Sequence, residues 1–138
     1  MARFLHFSAL SICLALGCSK APGGDADSAS VSLQCEDPLE QAELTLDPDE
    51  VHLIVEANMQ TIRYCYERAL DTNPMLQGQV EVQLVIEEDG TPSSVCSGES
   101  SMSNQEVVSC VLSIFSQFRF HEQETQVATI YPLAFSYE

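Results

Sequence analysis

The chain has no tryptophan and very little positive charge: 5 Lys and Arg stand against 21 Asp and Glu, for a formal net charge of −16. That balance argues against a nucleic-acid surface and against adhesion to anionic lipid, because both are polyanions. The carboxylates read as a solvated acidic surface. Histidine is scarce, 3 in all. Beyond the first residues only His52 and His121 remain, and neither has a serine, cysteine or carboxylate at a recognisable catalytic spacing. There is no C-x-x-C and no H-x-x-x-H, the spacings that would suggest a metal site. Glu87-Glu88-Asp89-Gly90 has the acidity of a calcium loop without its alternating spacing, and reads as a solvated turn. No glycine-rich phosphate loop is present. No enzyme, no cofactor and no metal site are expected.

What is present begins at the first residue. Arg3 precedes an apolar run from Phe4 to Leu16, followed by Gly17 and Cys18. The run is about 13 residues, short of the roughly 20 needed to cross a bilayer core, and has the layout of a cleaved secretory leader. Leu14-Ala15-Leu16-Gly17-Cys18 resembles a lipoprotein box. Residues 1–17 are therefore expected to be a signal peptide and Cys18 to carry the lipid. Ser19, where an aspartate would favour inner-membrane retention, points to the outer membrane facing the periplasm. The alternative is an ordinary cleaved leader with Cys18 an incidental thiol. Loss of Arg3 with the leader leaves a net charge of about −17 and only Lys20, Arg63, Arg68 and Arg119 as strong cations.

Residues 18–43 read as a flexible linker. Pro-Gly-Gly-Asp-Ala-Asp-Ser-Ala-Ser cannot bury enough surface to offset ordering. About 25 such residues span roughly 25–30 Å, which keeps the domain near its membrane. Residues 44–138 form one domain with one modest core. Asp47-Pro48-Asp49-Glu50 starts a helix, with Asp47 as cap and Pro48 in the first turn. Val51, Ile54, Val55, Met59, Ile62, Cys65, Tyr66, Ala69 and Leu70 recur at steps of three and four up to Asn73-Pro74. Gln79–Glu87 alternates as a strand, Glu88-Asp89-Gly90-Thr91 turns, and a weaker strand runs through Ser94–Ser97. Ser103-Asn-Gln-Glu106 has a capping-box pattern and opens a second helix with a stripe of Val107, Cys110, Val111, Ile114 and Phe118, ending near Phe120. A last strand runs from about Gln126 to Tyr137. Pro132 within it requires an edge or a bulge. The order is helix, strand, strand, helix, strand.

Ile62-Arg-Tyr-Cys-Tyr-Glu-Arg-Ala-Leu70, Asn73-Pro74, Gly78-Gln-Val, Asp89-Gly90-Thr, Glu106-Val-Val-Ser-Cys110-Val, Phe118-Arg-Phe120 and Tyr131-Pro132-Leu-Ala-Phe135 together resemble the AgmX/PglI C-terminal domain pattern, a variant of the TonB C-terminal fold. The chain departs from it with Phe118 in place of a common tryptophan and His121 in place of a common proline. The resemblance implies an α+β domain, two helices packed on one face of a three-stranded antiparallel sheet. It also implies envelope machinery of the gliding-motility or trans-envelope transport kind.

Cys35, Cys65, Cys96 and Cys110 are an even set that allows three pairings. Cys65 and Cys110 lie on the apolar stripes of the two helices and meet if those helices pack side by side. The resembled family carries cysteines at both positions, which supports that bridge. Its loop of about 45 residues is worth up to roughly 4 kcal/mol in the chain-entropy model. The alternative is two inert buried thiols. Cys35 with Cys96 is the pairing left over.

With no catalytic constellation, the working part is expected to be a surface. Domains of the resembled fold recruit partners by adding an extended peptide to a sheet edge. The candidate edge here is the last strand, with Ala128, Ile130, Ala134 and Ser136 facing away from its apolar stripe. The expected partners are envelope proteins, with basic or neutral segments favoured by the acidic surface, and the membrane through the lipid. A scaffold lipoprotein of an outer-membrane complex, or an accessory or inhibitor domain of a periplasmic enzyme, are the alternatives.

Overall fold

The computed structural model describes residues 29–37, 39 and 45–137. The expected leader 1–17, the expected lipid acceptor Cys18 and most of the stretch 18–43 read as linker lie outside these. The described elements are β1 (Ser30–Ser32), α1 (Pro48–Leu70), β2 (Gly78–Ile86), β3 (Pro92–Ser97), α2 (Gln105–Phe115) and β4 (Val127–Phe135).

Helix α1 forms where the apolar spacing and the cap agree. The Asp47 carboxylate accepts from the Asp49 N–H, and Pro48 occupies the first turn, where its missing donor costs nothing. Glu50 does not close a capping box. Its carboxylate instead accepts from the backbone N–H of His121 at 2.8 Å and contacts His121 Nδ1 at 2.9 Å, pinning the chain between α2 and β4. One face of α1 buries Val51, Val55, Ile62, Cys65, Tyr66 and Ala69. The Tyr66 hydroxyl donates to the Leu76 carbonyl, holding the turn that follows the helix.

The sheet order is β1-β3-β2-β4. The central strand β2 pairs antiparallel with β4 from Gly78↔Phe135 to Ile86↔Val127. On its other side it pairs antiparallel with β3, with a register shift between Val85 and Ile86. Alternation on β2 places Val80, Val82, Leu84 and Ile86 beneath the helices, all fully buried. Each such side chain contributes roughly 1.5–3 kcal/mol relative to exposure. The β2–β3 turn closes through Gly90 N–H to the Glu87 carbonyl and Glu87 N–H to the Thr91 carbonyl, both 2.9 Å. Gly90 has φ +83°, and a Cβ there would lie 2.2 Å from the Phe120 carbonyl oxygen, so both conformation and space require glycine.

Helix α2 corrects the reading at both ends. Its cap is Asn104, not Ser103: the Asn104 side chain accepts from the N–H groups of Glu106 and Val107. It ends at Phe115, before the Phe118-Arg-Phe120 motif. Phe118 and Phe120 are nevertheless buried. Phe118 packs against Phe115 with the rings tilted by 41° and their centroids 4.6 Å apart, so the apolar count continues past the end of the helix. The helix also buries a wider face than a single stripe, taking in Val108, Leu112 and Phe115.

The sheet itself is the larger correction. It has four strands and is mixed, not three-stranded and antiparallel. Strand β1 lies in the stretch read as linker and pairs parallel with β3, Ser30↔Ser94 to Ser32↔Cys96. Its Ser-Val-Ser side chains are all exposed, so there is no buried alternation to betray it. What holds it is covalent: Cys35 is bonded to Cys96 with Cα atoms 5.1 Å apart, and the Cys35 N–H donates to the Ser97 carbonyl at 2.9 Å.

Candidate functional site

Strand β4 is outermost, and the register fixes which of its backbone groups point away from the sheet. On β2, the Gln79 carbonyl accepts from Ser101 and Met102 and the Glu81 carbonyl from Gly98. Those groups therefore face the β3 side. Their β4 partners, Ala134 and Pro132, must then face outward, since opposed antiparallel residues alternate between bonded and non-bonded pairs. The outward set is Ala128, Ile130, Pro132 and Ala134. Pro132 thus sits where its missing N–H removes no ladder bond, which is why a proline is tolerated inside a nine-residue strand.

Of this set, the Ala128 carbonyl is taken: it accepts from Thr45 at 3.1 Å and Leu46 at 3.4 Å as the chain enters α1. Ala128 is itself buried. The N–H groups of Ile130 and Ala134 and the carbonyls of Ile130, Pro132 and Ala134 have no partner among the described residues. Ala134 and Ser136 are exposed, while Ile130 is half-buried on the face opposite the helices. There it lines a recess with Leu39, Gln83 and Cys35, and the Leu39 N–H donates to Gln83 Oε1 at 2.9 Å.

Beside this edge, on the helix side, runs an open groove of about 600 Å³. One wall is β4 from Tyr131 to Phe135, continued by Ser136 and Tyr137. The other is α1, with Met59, Arg63, Tyr66, Glu67 and Leu70. Two aromatic contacts align the walls. Tyr66 stacks on Phe135 at 5.0 Å, and His52 on Tyr131 at 6.4 Å. The Tyr131 hydroxyl lies 3.0 Å from His52 Nδ1, and His52 Nε2 lies 3.2 Å from Glu56 Oε1. Burial pushes the Tyr131 phenol above its ordinary pKa, and the Glu56 charge adds to the shift. Tyr131 therefore holds its proton more tightly than an ordinary phenol, and its hydroxyl, His52 and Glu56 form one chain of polar contacts along the groove.

The two histidines are committed separately, His52 to Tyr131 and Glu56, His121 to Glu50. Neither is bonded to a serine, threonine or cysteine among the described residues. Cys65 and Cys110 are bonded to each other, Cα atoms 5.8 Å apart. With Cys35–Cys96 this leaves none of the four as a free thiol. Among the described residues no group of three or more His, Cys, Asp or Glu could hold a metal, and no helix is long and apolar enough to cross a membrane.

No protein-family model matches the chain, and no curated protein matches it. Among solved structures, the chain is similar to the NMR solution structure of the Helicobacter pylori TonB C-terminal domain, residues 179–285. The identity is 14% and the TM-score 0.41, over 74% of this chain and 97% of that one.

The helix wall of the groove was missed by sequence reasoning. Met59, Tyr66 and Leu70 belong to the apolar stripe of α1, whereas Arg63 and Glu67 are charged positions outside it. Their steps of three and four place them on one shoulder of α1, but only the pairing of β4 with β2 brings that shoulder beside a free edge. Likewise, nothing in Thr45-Leu46 signals that they close the Ala128 end.

Proposed function

We propose that this chain is a non-enzymatic interaction module of the cell envelope, anchored by lipid at Cys18 to the outer membrane. It recruits an extended segment of a partner protein as an added strand on β4. The observation that carries this reading is the outermost position of β4, with outward donors at Ile130 and Ala134 beside an open groove. Main-chain hydrogen bonds supply affinity in such docking and side-chain pockets supply selectivity. The motif resemblance to the AgmX/PglI C-terminal domain adds the class of assembly, a gliding-motility or trans-envelope transport complex.

A photo-crosslinking amino acid at Ala134, in cells of the native organism, tests the reading. The expected adduct maps to an extended segment of one envelope protein and is lost when Ile130→Pro is added. Adducts formed equally well from Tyr64, on the outer face of α1, would contradict edge docking. A chain with Cys18→Ala is expected to leave the membrane fraction and to lose fatty-acid label.

A further inference from the structure

We infer that the groove beside β4 reads a carboxylate, so that the docked segment carries an aspartate or glutamate directed at Arg63. This rests on the strand-addition reading above and names the chemistry of the partner. The described residues contain three cations, Arg63, Arg68 and Arg119, and two are engaged. The Arg68 guanidinium lies 5.9 Å from the centre of the Tyr64 ring. Arg119 Nη1 donates to the Phe118 carbonyl at 2.8 Å. Arg63 alone has no hydrogen bond or ion pair among the described residues, and it lines the groove. Glu67, one turn on and lining the same groove, does not pair with it, and an Arg placed N-terminal to a Glu has the less favourable helix orientation for pairing.

A strand added to β4 lies about 4.7–4.9 Å from it, with alternate side chains on the helix side. Those side chains enter the space that Arg63 faces. The neighbouring lining is Met59, Leu70 and the ring of Tyr131, which suits an apolar side chain two residues from the acidic one. The rest of the surface is strongly acidic, so bulk electrostatics favours basic segments. Selection for an acidic residue would therefore come from a local contact with this one cation, and the sign of the preference separates the two effects.

The test is a display selection of random nonapeptides on the full chain in detergent, run in parallel on the unmodified protein, Arg63→Glu and Ile130→Pro. The unmodified protein is expected to enrich peptides with Asp or Glu at one position of an apolar alternation. Arg63→Glu should move that position to Lys or Arg and weaken the original acidic peptides by roughly five- to tenfold, the scale of a partly exposed ion pair and its reversal. Ile130→Pro should abolish enrichment of both kinds. Neutral or basic enrichment by the unmodified protein, or an acidic preference that survives in Arg63→Glu, overturns the inference while strand addition stands if Ile130→Pro still abolishes enrichment. Enrichment that persists in Ile130→Pro, or no enrichment by any form, overturns both.

Discussion

Two prolines one residue apart should behave oppositely. Thr129 pairs with Leu84 on β2 in the bonded set, and Ile130 belongs to the outward set. Thr129→Pro removes a ladder donor and leaves the fully buried Leu84 with an unmatched carbonyl. The unmatched group alone costs about 1–3 kcal/mol, and steric conflict of the ring with the ladder adds to it. Ile130→Pro removes no ladder bond. Its cost is the packing of a half-buried side chain, about 1 kcal/mol for the part of an isoleucine's transfer energy that burial realises here. For a domain of this size each kcal/mol moves Tm by roughly 4–8 °C. Thermal melts followed by circular dichroism should therefore place Thr129→Pro well below Ile130→Pro, by about 10 °C or more. The double variant, which adds the outward proline to the inward one, should melt only a further 4–8 °C or so, roughly, below Thr129→Pro, the small cost of the outward proline. Equal melting of the two single variants, or a greater loss for Ile130→Pro, would refute the assignment of outward groups on which the docking edge depends.

The two disulfides should also separate. Both close long loops, with sequence separations of 61 and 45, and the chain-entropy model gives each about 4 kcal/mol. Cys65–Cys110 joins the two helices of the core, so the double alanine variant should lower Tm strongly. Cys35–Cys96 holds a peripheral three-residue strand, so its double alanine variant should lose amide-exchange protection over Ser30–Cys35 with a smaller fall in Tm. At the groove, Tyr131 titrates above its ordinary value because of burial and the Glu56 charge. A raised folded-state pKa stabilises the fold below the unfolded tyrosine pKa and loses that contribution as pH rises through the folded one. Phenolate absorbance should show the Tyr131 phenol ionising above the ordinary tyrosine value, and Glu56→Gln should bring it part of the way down.

Much of the fold was legible because long periodic segments leave little choice. The α1 stripe from Val51 to Leu70 and the alternation from Val80 to Ile86 each fit one structure, and Pro132 limits the last strand to an edge or a bulge, of which the structure has the edge. What escaped was information that is not periodic. The three residues of β1 bury nothing and are held by a distant cysteine, so propensity had no grip on them. Phe118 and Phe120 extended the apolar count beyond α2 because a buried loop and a buried helix leave the same trace. Ser103 and Asn104 are both good caps, and only the geometry of the chain leaving Met102 chooses between them. The groove was invisible for a different reason: it joins residues 59–70 to 131–137, and a one-dimensional pattern does not say which helix shoulder adjoins which strand edge. The same holds for Arg63, whose importance lies in what the fold leaves it facing.

The most direct test of the docking account is amide hydrogen exchange of β4, resolved by residue, with and without the partner segment recovered by crosslinking. Ile130 and Ala134 should exchange readily in the free protein and become strongly protected in the complex, while Thr129, Tyr131 and Leu133, already bonded to β2, change little. Protection of Ile130 and Ala134 in the free protein, or new protection confined to α1 or to β1 and β3, would contradict the claim that β4 is where this domain receives its partner.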